Sequence, residues 1–223
     1  LHILQTKRLT FPLSNGTKAL NVYPIAYFPP IPWFVAARRE EAFLLEVCQH
    51  YRKQQITNRM WIKGPNRALP LTIPVERRGA RAPIRDKKIS YAENWQKQHW
   101  YSWIAAYRNS PYFEYYEDDF RPLFEQKYVY LVDLLTEALG VLWQKLDLAL
   151  RYSYTEEYHP ASFYGRDFRM DFQAGLEAFP LWFQPQVYPQ VFPGFTPGLS
   201  IVDLLFNEGP NCRLLLDRCY QES

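Results

Sequence analysis

Glycine is scarce in this chain, 9 in 223 residues, and it never gathers into a loop that could cradle phosphate. There is no GxxxxGK[ST] segment, no GxGxxG fingerprint, no GxSxG elbow and no HExxH pair. These absences argue against P-loop nucleotide enzymes, dinucleotide-dependent dehydrogenases, and hydrolases built on a serine elbow or a helical zinc site. Histidine and cysteine are also few. His2, His50, His99 and His159 with Cys48, Cys212 and Cys219 show no metal-ligand spacing, so neither a metal nor a cofactor is expected. An Asp-x-Asp metal clip is missing, because Glu117, Asp118 and Asp119 are contiguous and read as a helix entry.

An odd cysteine count without tight spacing is not a disulfide framework. Cys212 and Cys219 are expected on one helix, where seven residues rise about 10 Å, beyond disulfide reach. Buried thiols in a reducing cytoplasm are the expectation. Long hydrophobic runs are lacking as well. The most apolar stretch, residues 128–150, carries Asp133, Glu137, Lys145 and Asp147, so it reads as core helix and not as a membrane span. The first residues hold no apolar run before a small-residue cleavage site, so no signal peptide is visible. The chain begins with Leu1, not Met, which suggests that a few native residues precede it.

What is present is aromatic and proline-rich. Aromatics make up 17% of the residues, enough for a large buried area, and the 18 prolines imply fixed turns and edge segments. At this length a single core needs no disulfide or metal staple. The chain reads as a variable leader over 1–19 and one domain over 20–223.

Strands are expected over 20–28, bent or at an edge because of Pro24, and over 42–48, 55–62, 69–75 and 148–154. A short helix should follow Pro29, Pro30 and Pro32. Helical spacing of Trp95, His99 and Trp103, and of Trp100, Ile104 and Tyr107, predicts a helix over 94–109. A kinked helix or helical hairpin is expected over 120–146, capped by Asp119 with Pro122 in its first turn. Residues 155–198 read as irregular, with one strand near 183–188. Ser200 to Asp203 has the form of a capping box, Gly209-Pro210 of a helix stop, and a last helix should run over 212–220. The order favours an α/β or α+β fold with a small central mixed sheet covered by helices. The segments 42–48, 69–75 and 148–154 should share that sheet.

Four blocks then stand out: YPIAYFPPIPWF (23–34), YRKQQITNRMWI (51–62), NWQKQHWYSWIAAYRNSPYFEYYEDDFRPLFEQKY (94–128) and QVFPGFTPGLSIVDLLFNEGP (190–210). In order and spacing they resemble the WbqC-like protein family, over about residues 20–210. That family is bacterial, and some members are encoded with surface-polysaccharide (O-antigen) biosynthesis genes. The resemblance implies a setting and not a reaction. It also leads one to expect an Arg followed by a His-Pro-Lys-like stretch near 166–175. This chain reads RDFRMDFQAG there, keeping an arginine at Arg169 without the histidine and lysine. If those residues act in relatives, this member is altered at that place.

Charge is distributed unevenly. Residues 52–88 carry eleven Lys and Arg against Glu76 and Asp86, a local +9 in a chain whose total is +3. The plain explanation is a solvated basic face; the functional one is an anion site for a nucleotide, phosphate or carboxylate. Nucleic acid is not expected, since no recognised module or long basic stripe is present.

Arg59 sits among Ile56, Met60 and Trp61, where an unpaired charge is costly. Either it is an internal ion pair, with Glu46 as partner, or it belongs to a site with Asn58. His99 lies between Trp95 and Trp103 on the helix pattern. It is either a satisfied core histidine or a general base, with Lys53 and Arg59 holding an anionic group nearby. Asp203 and Asn207 are explained by the capping box and the helix end, or else join Trp95, Trp103 and Tyr107 in binding substrate.

Two functions follow. The first is a cytoplasmic enzyme of surface-polysaccharide synthesis, a transferase acting on an amino sugar or nucleotide sugar. The second is a noncatalytic partner of polysaccharide-biosynthesis proteins that uses the aromatic 155–198 segment.

Overall fold

Parallel strands must be covered on both faces, so they draw on continuous apolar runs. The runs at residues 22–28 and 43–47 do this. In the computed structural model, which describes residues 19–77, 81–172, 176 and 178–221, strand β1 (Asn21–Pro24) pairs in parallel with β2 (Phe43–Glu46). Strand β2 pairs in parallel with β5 (Tyr152–Tyr154), giving the order β1-β2-β5. Val22, Tyr23, Phe43 and Leu45 are fully buried. Residues 1–18 of the expected leader, and Arg78 of the basic stretch, lie outside the described residues.

The α/β class holds, but the strands divide into two ladders. Strand β3 (Arg59–Ile62) pairs antiparallel with β4 (Leu69–Thr72), apart from the parallel sheet. The 69–75 segment therefore does not share a sheet with 42–48 and 148–154. The reason is local. A short turn through Gly64 returns the chain onto β3, and a Cβ at Gly64 would lie 2.5 Å from the Arg67 carbonyl. Pro70 and Pro74 lack the N–H groups that a central strand needs, which confines the segment to a hairpin.

Helix α1 (Ile31–Ala37) has Pro32 in its first turn and buries all of its residues. Helix α2 (Trp95–Tyr107) follows the expected pattern. Beyond it the structure departs from the sequence reading. Helix α3 (Phe113–Phe120) already contains Asp119, whose carboxylate takes Lys145 at 2.6 Å instead of capping a helix. The region 120–146 is α4 (Pro122–Glu125) and α5 (Leu131–Lys145), separated by an extended stretch. That stretch is held from outside: Leu131 N–H donates to Lys87 O at 2.8 Å, and Ile89 N–H donates to Val129 O at 3.1 Å. No strand forms over 183–188, where only Phe183 bridges to Tyr220.

The core joins these pieces through rings. Trp103 of α2 is fully buried and meets Phe28, Phe124, Phe206 and Phe120 edge-on, with centroids 4.8, 5.0, 5.4 and 5.7 Å away. Each such pair contributes about 0.5–1.5 kcal/mol beyond its area. Together they lock α2, α3, α4 and the 201–208 helix around one centre. Helix α5 packs on β5, with Trp143 against Tyr152 at 4.4 Å. The chain ends in α6 (Ile201–Glu208), stopped by Gly209 at φ +52°, and α7 (Cys212–Arg218). All three cysteines are free and buried. Among the described residues no helix is long and apolar enough to cross a membrane.

Candidate functional site

Side chains alternate along a strand, so Arg59 and Trp61 of β3 share one face while Met60 and Ile62 point into the core. Continuing the alternation, Lys63 falls on the side of Arg59 and Trp61. That side meets the segment 190–203. The start of α6 is fixed there by four hydrogen bonds. Ser200 N–H donates to Trp61 O at 2.9 Å, Ile201 N–H to Pro29 O at 2.9 Å, and Ile31 N–H to Leu199 O at 2.9 Å. Ser200 Oγ donates to Phe28 O at 2.7 Å. The Ser200 hydroxyl is thereby used elsewhere, and the capping box does not form.

Asp203 is released from that role and turns inward. Its side chain is fully buried. Oδ2 accepts Tyr188 OH at 2.6 Å and Gln190 Nε2 at 2.9 Å, and Tyr107 OH is a further hydrogen-bond donor to the carboxylate. Burial pushes the carboxyl up to about 6; Tyr188, Tyr107, Gln190 and the Lys63 ammonium each offset part of that rise. The Tyr188 and Tyr107 phenols are pushed well above their usual range, by burial first and then by the neighbouring carboxylate, so both stay protonated donors.

Lys63 is buried beside this carboxylate without pairing to it directly. Its Nζ donates to Gly194 O at 2.6 Å and to Thr196 Oγ1 at 2.9 Å. Gln190 links the halves, donating to Thr196 O at 3.0 Å and accepting Thr196 N–H at 2.9 Å. Lys63, Tyr107, Tyr188 and Asp203, all buried, and the half-buried Gln190 thus form one polar cluster. At the outer end of the same strand face, Arg59 Nε donates to Thr72 Oγ1 at 2.9 Å and its guanidinium lies 5.9 Å from the Trp61 ring. Arg59 and Trp61 line a small cavity of about 10 Å³ with Phe172, Gly198 and Ser200.

The sequence candidates fall into separate groups. Tyr107 and Asp203 belong to the buried cluster, and Arg59 lies at the outer end of the β3 face. Asn207 only supports the cluster, its Nδ2 donating to the Asp203 backbone oxygen at 2.7 Å. Asn58 closes the hairpin, with Nδ2 donating to Ile73 O at 2.9 Å. Lys53 is exposed on a turn. His99 is buried, its Nδ1 is 3.0 Å from Tyr27 OH, and it is also hydrogen-bonded to the Thr72 backbone. Burial lowers its pKa to about 4, so it is a neutral ring at pH 7.

His99 does not sit between two indoles. Trp95 touches it edge-on at 5.1 Å and Tyr27 covers the other side at 5.8 Å, while Trp103 faces the phenylalanine core. Lys63, Tyr188, Gln190 and Thr196 were not singled out from sequence. The alternation Arg59, Trp61, Lys63 was the available signal for the first of them.

A second buried ionic group lies at the end of β2. Glu46 Oε1 accepts Cys48 N–H, Gln49 N–H and Thr155 Oγ1 at 2.7, 3.0 and 2.8 Å, and Oε2 accepts Arg169 NH1 at 2.9 Å. Asp167 holds the same guanidinium at 2.6 Å. The partner of Glu46 is therefore Arg169, and not Arg59. This group is saturated inside the protein, which marks it as structural. Of the divergent stretch 166–175, residues 173–175 lie outside the described residues. Among the described residues no group of His, Cys, Asp and Glu could hold a metal ion.

No curated protein and no solved structure matches the chain. The model of the WbqC-like protein family matches residues 25–178 and 172–213, which cover most of the length, the β3 face and the start of α6 included. This chain belongs to the WbqC-like protein family.

Proposed function

We propose that this chain is a cytoplasmic transferase of bacterial surface-polysaccharide (O-antigen) biosynthesis, acting on an amino sugar or nucleotide sugar. Asp203 is the general base, Lys63 and Arg59 hold an anionic group, and Tyr107 and Tyr188 orient the carboxylate. The observation that carries the reading is the Asp203 carboxyl, fully buried among Tyr107, Tyr188 and Gln190 beside a buried lysine with which it makes no direct ion pair. A base with a pKa near 6 is ionised at neutral pH and can take a proton from an attacking amine or hydroxyl, a contribution of about 10²–10⁴-fold in rate. His99 was the sequence candidate for that role, but its hydrogen bonds to Tyr27 and Thr72 leave it no nitrogen for a substrate.

Thermal shift with a panel of nucleotide sugars tests the reading, because a ligand bound only by the folded state raises Tm. At least one should raise it, Arg59→Ala should lose most of the rise, and Asp203→Asn should keep the rise while losing turnover. A panel without any shift sinks the reading. The alternative, a noncatalytic partner of polysaccharide-biosynthesis enzymes, draws support from exposed apolar side chains on the irregular segment, Leu181 at 90% and Val187 at 76% exposure.

A further inference from the structure

A groove of about 530 Å³ opens where the end of α1, the exit of α5 and the start of α7 meet, and none of its residues belongs to the Asp203 cluster. Small-molecule sites run to roughly 300–1,000 Å³, so the groove has room for a ligand. Its polar wall is a chain of ion pairs. Arg38 donates to Asp217 at 3.0 Å and to the Arg213 carbonyl at 2.6 Å. Arg213 Nη1 donates in turn to the Asp147 carboxylate and, at 3.2 Å, to the Asp147 carbonyl. Among the described residues, Arg213 Nε and Nη2 and Asp147 Oδ1 bond to no other group. With Glu40 the wall holds three carboxylates against two guanidiniums, one negative charge in excess. Leu148, Leu150 and Leu214 supply the apolar part.

Asp147 stands where a side chain is costly. Helix α5 ends in a Schellman motif, with Leu148 N–H donating to Trp143 O at 3.0 Å and Asp147 N–H to Gln144 O at 3.2 Å. The left-handed position of that motif usually goes to glycine, yet here Asp147 fills it at φ +50°. The carboxylate held there is 87% exposed and meets Arg213 at the groove. Exposed ion pairs add little stability, so the pair alone does not offset the strain.

We propose that this groove binds the ring of an uncharged hexose, with adjacent hydroxyls on Arg213 and Asp147 and a C–H face on the leucines. A hydroxyl donates and accepts at once, so two neighbouring ones satisfy a guanidinium and a carboxylate together. A phosphate satisfies only the guanidinium and is repelled by the excess negative charge, and an apolar ligand strips water from the polar wall without replacing its bonds. The inference goes beyond the transferase reading and does not rest on it. It concerns a second place on the molecule, whose charge suits a neutral sugar, whereas the basic face of residues 52–88 suits an anion.

The test titrates the full chain with methyl glucoside, methyl galactoside and methyl mannoside, with glucose 1-phosphate as the charged control and amide NMR signals as the readout. At least one methyl hexoside should move the signals of residues 147–150 and 211–217 along one saturable curve. Arg213→Met and Asp147→Gly should each weaken that binding about tenfold, since each removes charge-assisted hydrogen bonds. Asp147→Gly should melt no lower than the parent, because glycine takes the left-handed backbone freely, so its loss of binding is not a loss of fold. No shift of these signals overturns the proposal, as does full affinity in both variants. A lower Tm with unchanged affinity in Asp147→Gly assigns the aspartate to the fold alone and also overturns it. So does equal or tighter binding of glucose 1-phosphate in the groove. Shifts confined to β3 and α6 place the sugar at the Asp203 cluster, which removes this inference and leaves the transferase reading standing.

Discussion

His99 and Asp203 are both buried, hydrogen-bonded titratable residues on helices, and the difference between them lies in the charge each carries at neutral pH. The imidazole is neutral and bonded to Tyr27 and Thr72, so it gives up nothing by being inside. The carboxyl is held by Tyr188, Gln190 and Tyr107, lies near a lysine it does not pair with, and carries an upward shift from its burial. Burial alone therefore does not mark a site. What sets Asp203 apart is a carboxylate that keeps its charge inside the fold next to a buried lysine bonded to other groups.

The largest expected contrast is in turnover. Asp203→Asn should lower it about 10²–10⁴-fold in a chain that still melts cooperatively, while His99→Gln should leave it within a few-fold. Comparable losses in both variants would erase the distinction between the two regions.

Stability should run the other way. Removing the imidazole in His99→Ala leaves Tyr27 OH and the Thr72 carbonyl buried without partners and opens a cavity, costing about 2–4 kcal/mol in urea unfolding. Asp203→Asn removes a carboxyl held at about 6 against a usual 3.8, and at neutral pH should stabilise by up to about 3 kcal/mol.

The pH dependence sharpens the comparison, because the two slopes are opposed. His99 is lowered to about 4, so the unfolded chain binds its proton first and stability falls as pH drops from about 6.5 to 4. Asp203 is raised to about 6, so the folded chain holds its proton first and stability rises as pH drops from about 6 to 4. The parent should show partial cancellation. Asp203→Asn should lose up to about 1.4 kcal/mol per pH unit more steeply on acidification through this window, and His99→Gln should gain by a similar amount. Parallel curves for the three proteins would refute both assignments. The smallest effect is expected from Tyr188→Phe, which deletes one bond to Oδ2: about 1–2 kcal/mol at pH 7, shrinking below pH 5 as the carboxyl protonates and the bond loses its charge assistance.

Much of the local structure was legible from short-range pattern. The apolar runs at β1 and β2, the proline-led α1 and the four-residue spacing in α2 all appear where they were expected. What escaped was decided by groups far apart in the chain. Ser200 fits a capping box by its neighbours, but its hydroxyl goes to Phe28, 172 residues away. His99 reads equally as base or core until Tyr27, 72 residues away, takes one of its nitrogens. Lys63 looked like one more charge in a basic stretch, and its contacts with Gly194 and Thr196, more than 130 residues on, separate it from exposed charges such as Lys53 and Arg67. The hairpin was missed for the opposite reason, since a turn only a few residues long outweighed the apolar likeness of 69–75 to the sheet strands.

The irregular stretch after β5 gives the parallel sheet something regular. Val22 N–H donates to Arg166 O and Phe168 N–H to Val22 O, both within 2.9 Å, so residues 166–168 run alongside β1 for one rung of a ladder. The Glu46, Arg169 and Asp167 ion group anchors that rung to the neighbouring strand. An uncovered edge strand is a template on which another chain can add, and Pro24 blunts only its far end. By capping the middle of that edge with a segment that cannot itself continue as a strand, the protein denies a foothold to self-assembly where a small parallel sheet is most vulnerable to it.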